Sequence, residues 1–169
     1  MLKYIGGVMA FEIERRFLLK ENNIPEWLKV ENIMQGYLCI EKNSVQRVRI
    51  VNEKKAFFTV KGRSGRISRL EYQWEIPLVD AKEIMEKLCI KPLIVKKRYF
   101  VNYNGYEWVV DVFEGENEGL KIAEIELKNE FEKIEVPDWV GKEISEDERF
   151  YNYSLVLNPY SNWKGVMEE

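Results

Sequence analysis

Residues 69–76 run Arg69-Leu70-Glu71-Tyr72-Gln73-Trp74-Glu75-Ile76. Polar and apolar side chains alternate along the whole stretch. A β-strand sends successive side chains to opposite faces, so this period of two marks a strand. Arg69, Glu71, Gln73 and Glu75 share one face, and Leu70, Tyr72, Trp74 and Ile76 share the other.

The same pattern extends in both directions. Candidate strands cover residues 10–19, 33–41, 44–52, 55–62, 67–77, 93–103, 106–114 and 121–129. Lys61-Gly62-Arg63-Ser64-Gly65 and Asn102-Tyr103-Asn104-Gly105 read as hairpin loops, and Gly115-Glu116-Asn117-Glu118-Gly119 as a longer loop. Helical signals are fewer. Residues 80–90 start on Asp80, a good N-cap, and put Ile84, Met85 and Leu88 on one face. Pro25-Glu26-Trp27-Leu28-Lys29 reads as a short helix, and residues 137–158 as two helical regions.

Seven of these strands have one charged and one mainly apolar face. The charged faces carry Arg16, Arg47, Arg49, Lys61, Arg69, Lys96 and Arg98, together with Glu12, Glu14, Glu71, Glu75, Asp111, Glu124 and Glu126. Alternation alone allows an open sheet with one solvated face and its charges paired across strands. Two features favour a different arrangement. There are too few helices to cover a flat sheet and its edges. The basic set is also dominated by arginine, whose planar fork matches phosphate. The expected fold is therefore α+β: an eight-stranded closed antiparallel β-barrel with a charged lumen and flanking helices. A mixed-sign lumen suits a polyanion bound with its metal. The outer stripes Tyr72-Trp74-Ile76 and Tyr106-Trp108-Val110 would be covered by helices or by a second subunit, so a homodimer is expected.

Composition narrows the chemistry. The 169 residues suffice for one domain, expected over 9–169 with residues 1–8 a dispensable leader. The 26 Lys+Arg against 29 Asp+Glu show no basic excess, which argues against a nucleic-acid partner. There is no histidine, so Ser-His and Cys-His nucleophile pairs are excluded and any metal must be held by oxygen. Cys39 and Cys89 lie among apolar neighbours and read as reduced core residues, suiting a cytoplasmic protein. No apolar run approaches the ~18 residues of a membrane span, so no membrane partner is expected.

Glu12-Ile13-Glu14-Arg15-Arg16-Phe17-Leu18 resembles the Glu-x-Glu-x-Lys signature of the CYTH domain, or triphosphate tunnel metalloenzyme, superfamily. The resemblance continues in order from Met9 to about Tyr160. It runs through Gln35-Gly36-Tyr37-Leu38, Arg47-Val48-Arg49, Thr59-Val60-Lys61-Gly62, Arg69-Leu70-Glu71, Lys96-Lys97-Arg98-Tyr99, Asp111-Val112-Phe113-Glu114-Gly115, Gly119-Leu120, Ala123-Glu124-Ile125-Glu126-Leu127 and Gly141-Lys142-Glu143-Ile144.

The resemblance implies a tunnel that binds a triphosphate substrate and a divalent metal, Mg²⁺ or Mn²⁺. It implies that Glu12, Glu14 and Glu126 ligate the metal with Glu124 beside them. Arg16, Arg47, Arg49, Lys61, Arg69, Lys96 and Arg98 would hold phosphates, and Glu71 and Asp111 would orient those cations or a second metal. The residues implied in catalysis are Arg16, Lys96, Glu71 and Asp111. The expected reaction is that of the bacterial-type inorganic triphosphatases: tripolyphosphate to pyrophosphate and phosphate. The alternatives are a class IV-type adenylate cyclase, a thiamine or nucleoside triphosphatase, and a non-catalytic polyphosphate-binding module. Two positions depart from the pattern: Arg16 stands where the signature has Lys, and Gln73 where many relatives carry a carboxylate.

Overall fold

The computed structural model describes residues 10–20, 25–62, 68–129 and 131–167, and the side chains of 13–20, 25–62, 71–129 and 131–165. Nine strands form one antiparallel sheet: β1 (Ala10–Leu19), β2 (Lys29–Ile40), β3 (Ser44–Val51), β4 (Lys55–Gly62), β5 (Ser68–Ile76), β6 (Ile90–Tyr103), β7 (Tyr106–Glu114), β8 (Lys121–Leu127) and β9 (Val140–Glu143). Their order is β5-β4-β3-β2-β6-β7-β8-β1-β9. Two α-helices flank them, α1 (Leu78–Lys87) and α2 (Asn152–Leu157).

The expected closed eight-stranded barrel is corrected by this topology. The sheet has nine strands and is not closed into a barrel. β1 pairs with β8 along one side, from Ile13 to Leu18. On its other side it meets β5 only from Ala10 to Ile13, and β9 takes that side at Phe17 and Leu19. A four-residue contact is a seam, not a ladder along the strand's length. The sheet is nevertheless curled. Arg16 on β1 lies within electrostatic reach of Tyr37 on β2, four places away in the strand order.

Other boundaries also shift. Residues 25–27 are not helical, and Lys29 already begins β2. The Leu28 N–H donates to the Phe100 carbonyl at 2.7 Å and the Trp27 ring meets Tyr99 edge-on, so β6 holds this segment extended. The region 137–158 holds β9, a 3-10 turn at Glu148–Phe150 and only the short α2. β9 has four residues, too few for alternation to register. Helix α1 starts after Pro77, with Asp80 in its first turn instead of at the cap. There the carboxylate still favours the positive end of the helix dipole. The Asn104-Gly105 hairpin is as expected, both residues having positive φ, whereas the 61–65 loop falls largely outside the described residues.

The apolar faces point outward and are covered from the same chain. Val48, Ile50 and Ala56 pack under Ala81 and Met85 of α1. Phe17, Trp108, Val110 and Ile125 pack with Ile134, Trp139 and Val140. Trp108 is thus fully buried, while Trp74 remains 41% exposed, stacked on Phe58 and Tyr72. At one end of the inner face, Tyr37, Val45, Ile94, Phe113 and Ile122 form a third apolar cluster with Leu155 and Val156 of α2. That helix stops one end of the concavity. The charged side chains occupy the rest of it.

Candidate functional site

The concave face is charged because of strand parity. Arg16 on β1, Arg47 and Arg49 on β3, Lys61 on β4, Lys96 and Arg98 on β6, and Asp111 on β7 fall on the inner parity of their strands. Arg16, Arg47, Lys96, Asp111 and Glu124 are all buried.

Two clusters form. In the first, Arg98 Nε and Nη2 donate to the two Asp111 oxygens, each at 2.7 Å, and Nη2 also donates to Glu124 Oε2 at 3.0 Å. Lys96 Nζ donates to Asp111 Oδ2 at 2.5 Å. Arg16 Nε lies 3.2 Å from Glu124 Oε1, and Arg16 Nη2 donates to Glu14 Oε1 at 2.6 Å. In the second, Glu71 spans Lys61 at 2.5 Å and Arg47 at 3.4 Å. Arg49 lies between the clusters, and its Nε donates to Gln35 Oε1 at 3.0 Å.

Charges this crowded perturb one another. Burial pushes the Lys96 ammonium down to about 8, against the pull of Asp111. Burial, then Arg47 and Arg98, push the Arg49 guanidinium down to about 9. Burial would raise Asp111, but Arg98 and Lys96 outweigh it and hold the carboxyl well below its usual range. For Arg16, burial is outweighed by Glu14 and Glu124, so the guanidinium is raised and stays charged. Arg16 Nη1 and Arg47 Nε are buried with no hydrogen-bond partner. Donors of this kind are costly unless a ligand meets them.

The acidic end is more open. Glu14 and Glu126 are direct partners across the β1–β8 ladder, and Glu124 stands opposite Arg16. Glu126 is exposed and Glu14 half-buried. Glu12 and Arg69 are partners in the β1–β5 register, but their side chains lie outside the described residues. Among the described residues no three acidic groups converge on one point. The donor set still fits a divalent cation. Arg16 grips Glu14 from one side, and Glu126, its like-charged neighbour in register, adds a second carboxylate that a shared cation would offset with oxygen ligands alone.

The structure also adds residues that the sequence reading left without a role. Gln35 is fully buried and donates to the Tyr37 hydroxyl at 2.8 Å. Both lie in the Gln35-Gly36-Tyr37-Leu38 motif, which was a signal without an assignment. Tyr151 places its ring 4.9 Å from the Arg16 guanidinium, and Asn152 Oδ1 accepts from Lys96 at 3.2 Å. Nothing local in residues 146–157 points to either. Gln73, the neutral departure, accepts a hydrogen bond from Thr59 Oγ1 at 3.3 Å. Trp27, Trp74 and Trp108 all pack on the outer side, away from the concave face.

A curled antiparallel sheet with a cation-rich concave face and an acidic rim defines a polyanion-binding protein. The CYTH domain family model matches residues 10–155. An inorganic triphosphatase of Acetivibrio thermocellus is 47% identical over 156 residues, 92% of this chain and 99% of that protein. An inorganic triphosphatase of Nitrosomonas europaea is 29% identical over 150 residues, 87% of this chain and 97% of that protein. A crystal structure of an inorganic triphosphatase superposes with a TM-score of 0.66 at 28% identity, covering 90% of this chain and 98% of that one. The chain belongs to the CYTH domain family, whose triphosphatases are metalloenzymes. No helix among the described residues is long and apolar enough to cross a membrane.

Proposed function

We propose that the protein hydrolyses inorganic tripolyphosphate to pyrophosphate and orthophosphate with Mg²⁺ or Mn²⁺. The observation that carries this reading is the pair of buried, unpartnered arginine donors, Arg16 Nη1 and Arg47 Nε, on a face already lined with cations. A polyanion supplies what they lack. The 47% identity to an inorganic triphosphatase supports the same substrate class. So does the outward packing of Trp27, Trp74 and Trp108, which turns these three indoles away from the concave face.

Glu12, Glu14 and Glu126 would hold the metal. When bound, the metal polarises phosphoryl oxygen and lowers the pKa of water. Glu124 stands beside that set and, gripped by Arg16 and Arg98, orients both guanidiniums. Arg47, Arg49, Lys61, Arg69 and Arg98 neutralise the phosphate oxygens. Glu71 aims Lys61 and Arg47, and Asp111 aims Lys96 and Arg98. Both Asp111 oxygens are taken by these cations, which leaves it an orienting role. Arg16 stays charged throughout and stabilises the leaving pyrophosphate electrostatically. Lys96, lowered to about 8, is the cation suited to lend that leaving group a proton. The free cysteines suit a reducing, cytoplasmic setting.

The test is direct competition. Purified protein is incubated with tripolyphosphate, ATP or thiamine triphosphate, each with Mg²⁺ or Mn²⁺. Orthophosphate should appear fastest from tripolyphosphate. Faster consumption of ATP, cyclic AMP as product, or tight tripolyphosphate binding without any phosphate release would each overturn the reading.

A further inference from the structure

Helix α2 does more than stop one end of the concavity. Its first residue, Asn152, and the preceding Tyr151 each touch one cation of the phosphate site. The Lys96 side chain is fully buried. An ammonium has three N–H donors. Asp111 Oδ2 takes one at 2.5 Å and Asn152 Oδ1 another at 3.2 Å, while the Phe113 ring lies 5.1 Å away. The third remains for a substrate oxygen. With Asp111 alone, the ammonium could pivot about one bond. With two fixed acceptors its remaining N–H has one direction.

The amide is the suitable group at position 152. An apolar side chain would leave a buried N–H without an acceptor. A carboxylate would cancel the charge that attracts phosphate. An amide oxygen fixes direction and adds no charge.

Tyr151 acts on the other cation. Its ring lies against the Arg16 guanidinium at 4.9 Å, a cation–π contact. Its hydroxyl donates to the Ser145 carbonyl at 2.9 Å, and Ser145 Oγ accepts from the Arg16 backbone N–H at 3.0 Å. Arg16 is therefore held at both backbone and side chain by the segment 145–151. The segment beyond α2 keeps this head in place: the Tyr160 N–H donates to Asn117 Oδ1 at 2.8 Å, and Trp163 packs on Phe150.

We propose that Tyr151 and Asn152 form a positioning element of the phosphate site, Asn152 aiming the Lys96 ammonium and Tyr151 seating the Arg16 guanidinium. Neither is a catalytic residue, because each acts through the cation it touches. This inference rests on the tripolyphosphatase reading above.

The groups facing Lys96 are Asp111 on β7, Arg98 on β6, Glu124 on β8, Arg49 on β3 and Asn152 on α2. Removing the α2 acceptor takes away one of the few contacts that favour the charged form. Asn152→Leu should therefore lower kcat by about tenfold, the equivalent of one lost hydrogen bond. It should also move the alkaline limb of kcat/KM to lower pH. Asn152→Asp keeps an acceptor and adds a charge, so it should move that limb upward while raising KM. Tyr151→Leu takes the ring away from the Arg16 guanidinium and should reduce kcat, and Tyr151→Phe, which keeps the ring but loses the bond to Ser145, should recover part of that loss. A merely structural role would lower the melting temperature and leave the pH limb in place. A folded Asn152→Leu protein with wild-type kcat, KM and pH limb overturns the proposal. If that variant does not fold, Asn152→Asp decides: an unmoved limb and unchanged KM overturn it equally. Wild-type protein that releases no phosphate from tripolyphosphate would instead sink the functional reading.

Discussion

Glu14 on β1 and Glu126 on β8 occupy one register position, carboxylate beside carboxylate on the same face of adjacent strands. Like charges so placed cost roughly 0.2–1 kcal/mol, and a cation between them reverses the sign. A ligand at a hundred times its Kd stabilises by about 2.7 kcal/mol. For a chain of this size that is roughly 2–4 °C of Tm per kcal/mol. Mg²⁺ or Mn²⁺ should therefore raise Tm by several degrees. Glu126→Gln should raise the metal-free Tm slightly and abolish most of the metal-induced rise. A metal response identical to wild type would remove Glu126 from the ligand set.

Glu14→Ala should abolish turnover while the fold survives. The side chain is half-buried, belongs to no apolar cluster and faces Glu126. Phosphate release and a circular-dichroism melt separate the two effects. Turnover at the wild-type rate would end its assignment as a metal ligand.

Arg98 should behave differently. It contributes a bidentate bond to Asp111 and a further bond to Glu124. Losing a charge-assisted contact to phosphate is worth about 1.5–3 kcal/mol, or roughly 10- to 150-fold in apparent affinity. Arg98→Ala should raise KM for tripolyphosphate by that factor. It should also lower stability, because Asp111 keeps only Lys96 as a charged partner. Arg98→Lys restores the charge and should recover part of both losses. An unchanged KM would take Arg98 out of the site.

The pH dependence follows from Lys96. Its pKa is lowered to about 8 by burial, so below that value the ammonium is charged and able to hold phosphate. As pH rises through about 8 the charge is lost, and kcat/KM, which reports the free enzyme, should fall. Bound polyanion favours the ammonium, so the matching limb in kcat should lie at higher pH. Lys96→Arg should move the limb to higher pH, since a guanidinium holds its proton more strongly than an ammonium in the same surroundings. Persistence of the same limb in that variant would assign it elsewhere.

Gly36 tests how the outer face is packed. A Cβ at this position would lie 2.6 Å from Cys89 Sγ and 3.0 Å from Leu93 Cδ2. Gly36→Ala should cost about 1–3 kcal/mol, seen as a lower denaturation midpoint. Cys89→Ala removes the closest clashing atom and should restore part of the loss in the double variant, a coupling that two independent sites would not show.

Much of this protein was legible because strand alternation is local. Period two over 69–76 or 106–114 needs no partner to be recognised, and it placed Arg47, Arg49, Lys96 and Arg98 on the inner parity. Where the local signal was short or ambiguous, it failed. The four residues of β9 and the extended run from Trp27 into β2 owe their conformation to β1 and β6, which pair with them. The absent histidine and the oxygen-only ligands were likewise sequence facts, and they bounded the metal chemistry before any geometry was known.

Register and curvature were not legible. Only the tertiary structure set Glu14 against Glu126, because cross-strand partners come from pairings far apart in the chain. Only it showed that β5 and β1 meet along a four-residue seam while β9 pairs with that edge at Phe17 and Leu19. The sequence by itself determined which residues share a face, because that depends on parity alone. The tertiary structure decided which charges meet, and that the head of α2 reaches Lys96 and Arg16, because those contacts depend on how the sheet curls and where the chain returns to it.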